Sequence, residues 1–386
     1  DWSSDVCSSD LSGLQGSDTV ASLSSVVASG ATGKNAGSYT NTVTAGTETN
    51  YTVSTVNGGL TIAKAPLTVR ANDDARFVGQ TDTAGYAGVS YSGLVGGETA
   101  AVLGGTATVT RASRGPDGNA AGSNGLVGTY TGALAASGLS SNNYTISYAP
   151  GSYTVVPADQ LLVKALPVSG VYGNAANYAV GTAQYLTNGN VVVNLSVAAQ
   201  GNNTYVASDG VGGSATFTVS PSAPALSGAS QLKVGTYSLG ASNVSVTAGS
   251  NFSNTLSLVG TQSVSPAVLN AAPAVAKVYG GSTAIASQAV AVTGALGNDA
   301  VQVTGSGEFA SQNAGTGLGY TLSGLSLSGA DAGNYYLSQG AGMTANNGTI
   351  SRAPLTVTGN SASVTYNGAN QTVSGFTVSG LQGSDT

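Results

Sequence analysis

The same eight residues, Ser-Gly-Leu-Gln-Gly-Ser-Asp-Thr, stand at 12–19 and again at 379–386. A chain that returns to its own sequence is built from repeats, and repeats fold as small units that touch mainly their neighbours. Weaker copies lie between: SGLVGGET at 92–99 and TGALGNDA at 293–300. A second motif, TIAKAPLTV at 61–69, matches TISRAPLTV at 349–357 in seven of nine positions. A third couples a Gly-x-Tyr strand to a later Asn-aromatic pair: Tyr39 with Asn50-Tyr51, Tyr130 with Asn143-Tyr144, Tyr237 with Asn251-Phe252, and Tyr320 with Asn334-Tyr335.

The order of these motifs is constant, with joints near Ala65-Pro66, Pro157-Ala158, Pro266 and Ala353-Pro354. The units are therefore expected at 65–156, 157–266 and 267–353. Residues 12–64 read as the back of one unit and 354–386 as the front of another, so the chain is expected to be a window on a longer array. Residues 1–11 stand apart. They hold the only Trp (Trp2), the only Cys (Cys7) and three of the 16 acids. They read as a linker or a non-native segment and are set aside from the fold.

Local chemistry favours strands. Apolar residues alternate in Leu60-Thr-Ile62 and Leu67-Thr-Val69, as on a strand with one buried face. Pro66 between them donates nothing to a ladder, so it ends one sheet and begins the next. The 57 Gly and abundant Ser, Thr, Asn, Val and Tyr fit strands joined by tight turns. Gly16, Gly96, Gly97 and Gly383 are expected to take positive φ. The asparagines should satisfy local turn backbone while the aromatic that follows plugs a core. The Gly-x-Tyr hydroxyls should bond nearby backbone, as in the tyrosine corner of immunoglobulin-type sandwiches. The fold class is all-β: a tandem array of small Gly-rich β-sandwich-like modules. The alternatives are β-grasp-like modules or one continuous β-helix, although units of this length are much longer than β-helix coils.

The missing residue types exclude much chemistry. With no His there is no Ser-His-Asp triad, no histidine base and no His-ligated metal. One Cys makes neither an intrachain disulfide nor a thiolate zinc site. No apolar run reaches the 18 residues of a membrane-spanning helix. The net charge of −6 disfavours nucleic acid, and without residues 1–11 it is only −3, 13 acids against 10 bases. A glycosidase needs two carboxylates about 5–10 Å apart. Here Asp18, Glu98, Asp299 and Asp385 hold one equivalent turn position, which reads as a turn or solubility device. The GGSAT stretch at 212–216 lacks the Lys and helix of a phosphate loop. Asn72-Asp73-Asp74 offers oxygens to a calcium ion, or forms a solvated turn. Asn-x-Ser/Thr triplets begin at Asn50, Asn143, Asn194, Asn202, Asn243, Asn251, Asn347 and Asn370. Tyr86, Tyr91, Tyr185 and Tyr205 fall outside the recurring aromatic positions and are expected to be exposed, where they could stack on sugars.

These strings carry a family resemblance. Lys277-Val-Tyr279-Gly280-Gly281, Asn298-Asp299, Asn313-Ala-Gly315, SGLSLSGADAGNYYL (323–337) and APLTV resemble the YDG domain. Val364-Thr-Tyr366-Asn-Gly368 with SGLQGSDT, and the unit opening at Ala65-Pro66, are similar to the MBG (mostly bacterial, glycine-rich) domain. The family's Tyr-Asp-Gly stands here as Tyr279-Gly280-Gly281 and as Phe77-Val-Gly79. The assignment is a YDG-like repeat at 267–353 and an MBG-like repeat at 65–156. A diverged repeat lies at 157–266, and parts of MBG-like repeats at 12–64 and 354–386. Residues 1–11 resemble a translated sequencing-adapter artefact.

The resemblance implies tandem domains of large bacterial surface proteins similar to filamentous haemagglutinin, exported by two-partner secretion or another outer-membrane route. The expected function is a non-enzymatic stalk or adhesive segment of a secreted or surface-anchored adhesin, outside a Gram-negative cell. It would space a binding region from that cell. Expected partners are neighbouring repeats and a host or environmental glycan or protein; no nucleic acid, cofactor, metal or catalytic residue is expected. Alternatives are a glycan- or matrix-binding module acting through repeat loops, and an extracellular polysaccharide-active enzyme. Low charge and scarce Cys would let the chain cross an envelope unfolded and fold outside without oxidation.

Overall fold

A computed structural model describes residues 13–15, 18, 23–112, 126–247, 251–383 and 385–386. Residues 1–11 and Gly16 lie outside that set. The chain forms two compact units, Asp1–Ala267 and Val268–Thr386. The described regular structure is strand, with two single 3-10 turns at Ala100–Val102 and Ala332–Asn334. The chain is all-β, as the composition predicts.

In the first unit, residues 65–156 form a two-sheet module. Its leading strand runs Ala65–Ala71 and then Asp74–Phe77; its closing strand runs Tyr144–Ala149 and then Gly151–Val156. The two lie side by side and parallel along both halves. Each breaks in the middle, at Asn72-Asp73 and at Pro150, and so serves two sheets in turn. The first halves sit in a three-stranded sheet completed by Val89–Ser92. The second halves sit in a four-stranded sheet completed by Gly128–Ser140 and Gly104–Arg111. Strands that bend from one sheet into the next make the corners of a sandwich. Leu67, Val69, Tyr130, Leu134, Tyr144, Tyr153 and Val155 fill the space between the sheets. In Leu67-Thr-Val69 the alternation of the sequence is the alternation of burial.

Residues 157–266 repeat the plan. The leading strand is Leu161–Ala165 and Val168–Val171, broken by Leu166-Pro167. The closing strand is Leu256–Val259 and Thr261–Ser265, broken at Gly260. Both halves again pair in parallel. A core of Leu161, Val163, Tyr205, Phe217, Val219 and Leu239 lies within. In the second unit, Ala276–Val278 pairs in parallel with Gly342–Ser351, and Ala267–Ala271 neighbours Tyr335–Leu337. Phe309, Tyr320, Leu322 and Ile350 fill its core. These are separate small sheets, not the coils of one continuous helix.

The Gly of the Ser-Gly-Leu motif has a steric role that its sequence context does not reveal. Gly93 has φ +110°, and a Cβ there would lie 2.5 Å from the Pro66 carbonyl oxygen. Gly294 and Gly380 repeat this at φ +101° and +100°, against Val268 and Pro354. In these three copies the motif glycine thus lets its strand press on the head of the leading strand, whereas Gly13, at φ +95°, has open space beside it. Gly96, Gly97 and Gly383 also take positive φ, as expected. Gly93→Ala should lower stability by about 1–3 kcal/mol, the cost of one strained backbone site with no room to relax. Urea unfolding of the chain measures it; an unchanged midpoint would refute the close-approach role.

Candidate functional site: tyrosine latches and a charged joint

Each copy of the octapeptide motif closes a turn. The amide of its acid bonds the carbonyl three residues earlier: Asp18 to Gln15, Glu98 to Val95, Asp299 to Leu296, Asp385 to Gln382. In three copies the carboxylate then receives the hydroxyl of the Asn-Tyr tyrosine, while Asp385 receives that of Tyr279 at 3.1 Å. Tyr51 donates to Asp18 Oδ2 at 2.5 Å, Tyr144 to Glu98 Oε2 at 2.5 Å, and Tyr335 to Asp299 Oδ2 at 2.5 Å. The same hydroxyls accept the amides of Gln15 (3.0 Å), Val95 (3.1 Å) and Leu296 (2.9 Å). The recurring acid is therefore one half of a latch that ties the closing strand to the motif turn. It has a definite structural partner, more than a turn or solubility device requires. The pairing spans 33 to 46 residues, so local spacing does not expose it; the co-occurrence of motif acid and Asn-Tyr in three of the repeats is the signal that could.

Burial, reinforced by the Glu98 bond, pushes the Tyr144 phenol up to about 12. Burial, with Asp82 adding to it, also raises the Tyr153 phenol. A phenol held neutral in the fold but free to ionise near pH 10 when unfolded stabilises fully below pH 10 and progressively less above it. Absorbance titration at alkaline pH should show these two phenols ionising only as the module unfolds. Tyr144→Phe should cost about 1.5–3 kcal/mol, the usual worth of a hydrogen bond to a charged group.

The Gly-x-Tyr tyrosines act as corners. Tyr39 donates to the Asn35 carbonyl at 2.8 Å, Tyr130 to Leu126 at 2.6 Å and Tyr237 to Lys233 at 2.8 Å, each four residues back. Tyr320 instead bonds the Pro273 carbonyl and Asn347 Oδ1.

The joint between residues 65–156 and 157–266 is buried. Ala75, Phe77 and Val156 pack on Leu162, Leu186 and Val259. Charged groups rim this apolar centre. Arg70 Nη2 lies 2.7 Å from Asp73 Oδ1, and Lys164 Nζ 2.7 Å from Asp74 Oδ1. Arg70 also donates to Thr261 Oγ1 and Ser238 Oγ, and the Asp73 amide bonds Thr261 Oγ1 at 3.0 Å. Asn72, Asp73 and Asp74 are 1%, 6% and 3% exposed. This corrects the solvated-turn reading: Asn72 is held within its own module by Ala87 and Ser90, while Asp73 and Asp74 face the next module through Thr261 and Lys164. As for calcium, Asp73 and Asp74 hold the chain's own cations. Among the described residues no group of three or more His, Cys, Asp or Glu gathers as a metal set.

A second charged cluster sits inside residues 65–156. Asp82 Oδ1 lies 2.7 Å from Arg76 Nε and 2.9 Å from Arg111 Nη1, and it receives Tyr153 at 3.0 Å. Tyr86 donates to Oδ2 at 3.2 Å. The Arg111 guanidinium rests 3.9 Å from the centre of the Tyr153 ring. Burial pushes the Asp82 carboxyl up, but bonds from Arg111 and Tyr153, the Arg111 charge and the Arg76 bond outweigh it and hold the carboxyl below its ordinary value.

Protein-family models account for most of the chain. The model for the MBG domain (YGX type) matches residues 5–61 and 67–154, and that for the YDG domain matches residues 265–345. Over those residues the chain carries MBG and YDG domains in tandem; residues 155–264 match neither model. No curated protein and no solved structure matches it.

The MBG module at 65–156 and its neighbour correct the expected sugar-facing tyrosines. Tyr185 and Tyr205 are each 8% exposed: Tyr185 packs on Phe252, and Tyr205 stacks on Phe217. Tyr86 and Tyr91 lean partly buried on the MBG core. They lie outside the recurring positions because they belong to module-specific cores. Among the Asn-x-Ser/Thr triplets, Asn143 is partly buried and bonds Asn35 and the Ala36 amide, more than 100 residues away, rather than local turn backbone. The other seven asparagines are exposed. A cleft of about 260 Å³ in residues 157–266 is lined by Val171, Asn174, Tyr178, Pro221, Gln231 and Gln262, with the Tyr178 hydroxyl donating to Gln262. No helix among the described residues is long and apolar enough to cross a membrane.

Proposed function

We propose that this chain is a non-enzymatic stalk and adhesive segment of a large surface protein, exported to the outside of a Gram-negative cell, where it spaces a binding region from the envelope. One observation carries this: in residues 65–156 and 157–266 the leading and closing strands are parallel along their whole paired length. A module whose first and last strands run the same way admits the chain at one end and releases it at the other. Each such module adds its own length, where an antiparallel pair would fold the chain back. Tension on the two termini then shears the central ladder, loading its hydrogen bonds together rather than one at a time. The buried joint supports the reading, because it holds two modules against bending.

Single-molecule stretching of the 386-residue chain tests it. The expected trace is a series of discrete force peaks, one per complete module. A chain that extended without resolvable peaks would overturn a mechanical role.

A further inference from the structure

We propose that the cleft in residues 157–266 is a binding site for one neutral sugar ring, such as the terminal residue of a glycan chain. This rests on the adhesive part of the function proposed above and gives it a place. The mechanical part stands or falls on the stretching experiment alone.

The cleft lies in the module that matches neither family model. Its floor is the closing strand. Along Thr261–Ser265 successive side chains take opposite faces: Thr261 and Ser263 bond Arg70 and Ser169, while Gln262 and Val264 line the cleft. The walls come from the loop after the leading strand, at 173–178, and from a small hairpin in which Leu226 bridges Leu232. Both are tied down. The Tyr172 amide donates to the Ser265 carbonyl at 2.8 Å, and its hydroxyl lies 2.5 Å from Ser227 Oγ, joining loop to hairpin. The Asn174 amide donates to the Val171 carbonyl at 3.0 Å and the Tyr178 amide to Asn203 Oδ1 at 3.3 Å. The Tyr178 carbonyl accepts the Tyr205 hydroxyl. Walls fixed in advance lose little freedom when a ligand arrives.

Gln262 is the residue that points to a ligand. It is 4% exposed. Its Oε1 receives the Tyr178 hydroxyl at 2.6 Å, and burial raises that phenol, so the hydroxyl remains a donor at neutral pH. The Gln262 Nε2 has no partner among the described residues, yet it is not sealed from solvent. In a side chain buried so deeply, the opening is the cleft it lines. Buried amides in folded proteins are nearly always bonded, so an NH₂ group facing a cleft is a donor set for a ligand oxygen.

The rest of the lining selects that ligand. Among the described residues no charged side chain lines the cleft, so nothing there would neutralise a phosphate, a carboxylate or an ammonium group. Val171, Pro221, Leu226 and Leu232 supply apolar wall, and Asn174 and Gln231 add further amides. A neutral sugar matches this mixture: its C–H face covers apolar surface, while its hydroxyls donate to and accept from side-chain amides. At about 260 Å³ the cleft is smaller than the about 300–1,000 Å³ of sites for drug-sized ligands, so it takes one ring rather than a longer segment. An extended peptide fits less well for a second reason. The strand that carries Gln262 has a hydrogen-bonded neighbour on each side, so it offers no free edge for a peptide to extend.

The test uses the full chain and the methyl glycosides of glucose, galactose, mannose and N-acetylglucosamine. Saturation-transfer NMR should show binding of at least one, with a dissociation constant of about 1 mM, the affinity that a ligand of about a dozen non-hydrogen atoms commonly reaches. A diazirine derivative of the bound glycoside should label peptides that contain Tyr178, Leu226 or Gln262. Gln262→Met keeps the length of the side chain without its amide and should weaken binding about tenfold, the loss of one hydrogen bond. Ala175→Trp, on the exposed lip, fills the mouth without entering the core and should abolish labelling, so the site is tested even where Gln262→Met does not fold. No binding of any of these glycosides at about 10 mM, well above the expected constant, overturns the proposal. So do binding that both variants leave unchanged, label confined to residues outside the cleft, and a preference for methyl glucuronide or for an Ala-Gly peptide over all the neutral glycosides.

Discussion

Asp82→Ala is expected to lower the stability of the MBG module at 65–156 by about 3–5 kcal/mol, the range found when one member of a buried ion pair is removed. The side chains of Arg76 and Arg111 are 4% and 2% exposed, and both guanidiniums address this single carboxylate. Without it, Arg111 keeps the Tyr153 ring but loses its anion. A domain is stable by only about 5–15 kcal/mol, so the variant should melt far below the parent or fail to hold the module. Asp82→Asn separates charge from shape: it retains the packing and should lose about 1.5–3 kcal/mol. The sign of the pH dependence follows from the lowered carboxyl. Its contribution is complete above the unfolded value near 4 and disappears as pH falls through the lower native value. The parent should therefore weaken steeply below about pH 4, and Asp82→Asn should show a shallower slope there. Urea denaturation at pH 7 and pH 3 measures both.

Phe77→Ala is expected to cost about 3–5 kcal/mol and to change how the chain unfolds. Phe77 is 2% exposed and lies at the centre of the joint, with Leu162, Leu186 and Val259 across from it. The residues lost from contact belong to two modules, so the coupling between them falls along with the stability. The parent should unfold 65–156 and 157–266 in one cooperative transition, and the variant in two. Calorimetry of the full chain reads this directly. A single transition, merely shifted, would show that the joint does not couple the modules. Under tension the parent pair should likewise resist bending more than the variant.

The strand content, the repeat order and the corner tyrosines are legible in the sequence because each depends on neighbours along the chain. Alternation in Leu67-Thr-Val69 reports a face, and a tyrosine hydroxyl reaching four residues back is a local event. The latch is not legible from spacing, since Glu98 and Tyr144 meet across 46 residues. Asn72-Asp73-Asp74 reads as a solvated turn because nothing local tells that Ser90 covers Asn72 and that a second module meets Asp73 and Asp74. Tyr185 and Tyr205 mislead for the same reason: their burial comes from Phe252 and Phe217, which approach only in the folded module. Gly93 carries no local mark of the Pro66 carbonyl that excludes a side chain there.

By itself, the sequence determined that this chain is an all-β array of recurring modules with no histidine and a single cysteine. Composition, alternation and repetition are properties of the chain before it folds. Tertiary structure alone decided that the first and last strands of each module run parallel, that the turn acids are tyrosine latches, and that two modules share a buried, ion-paired joint. Those features join groups tens to hundreds of residues apart, and only the packing of sheets brings such groups within the few ångströms over which hydrogen bonds and ion pairs act.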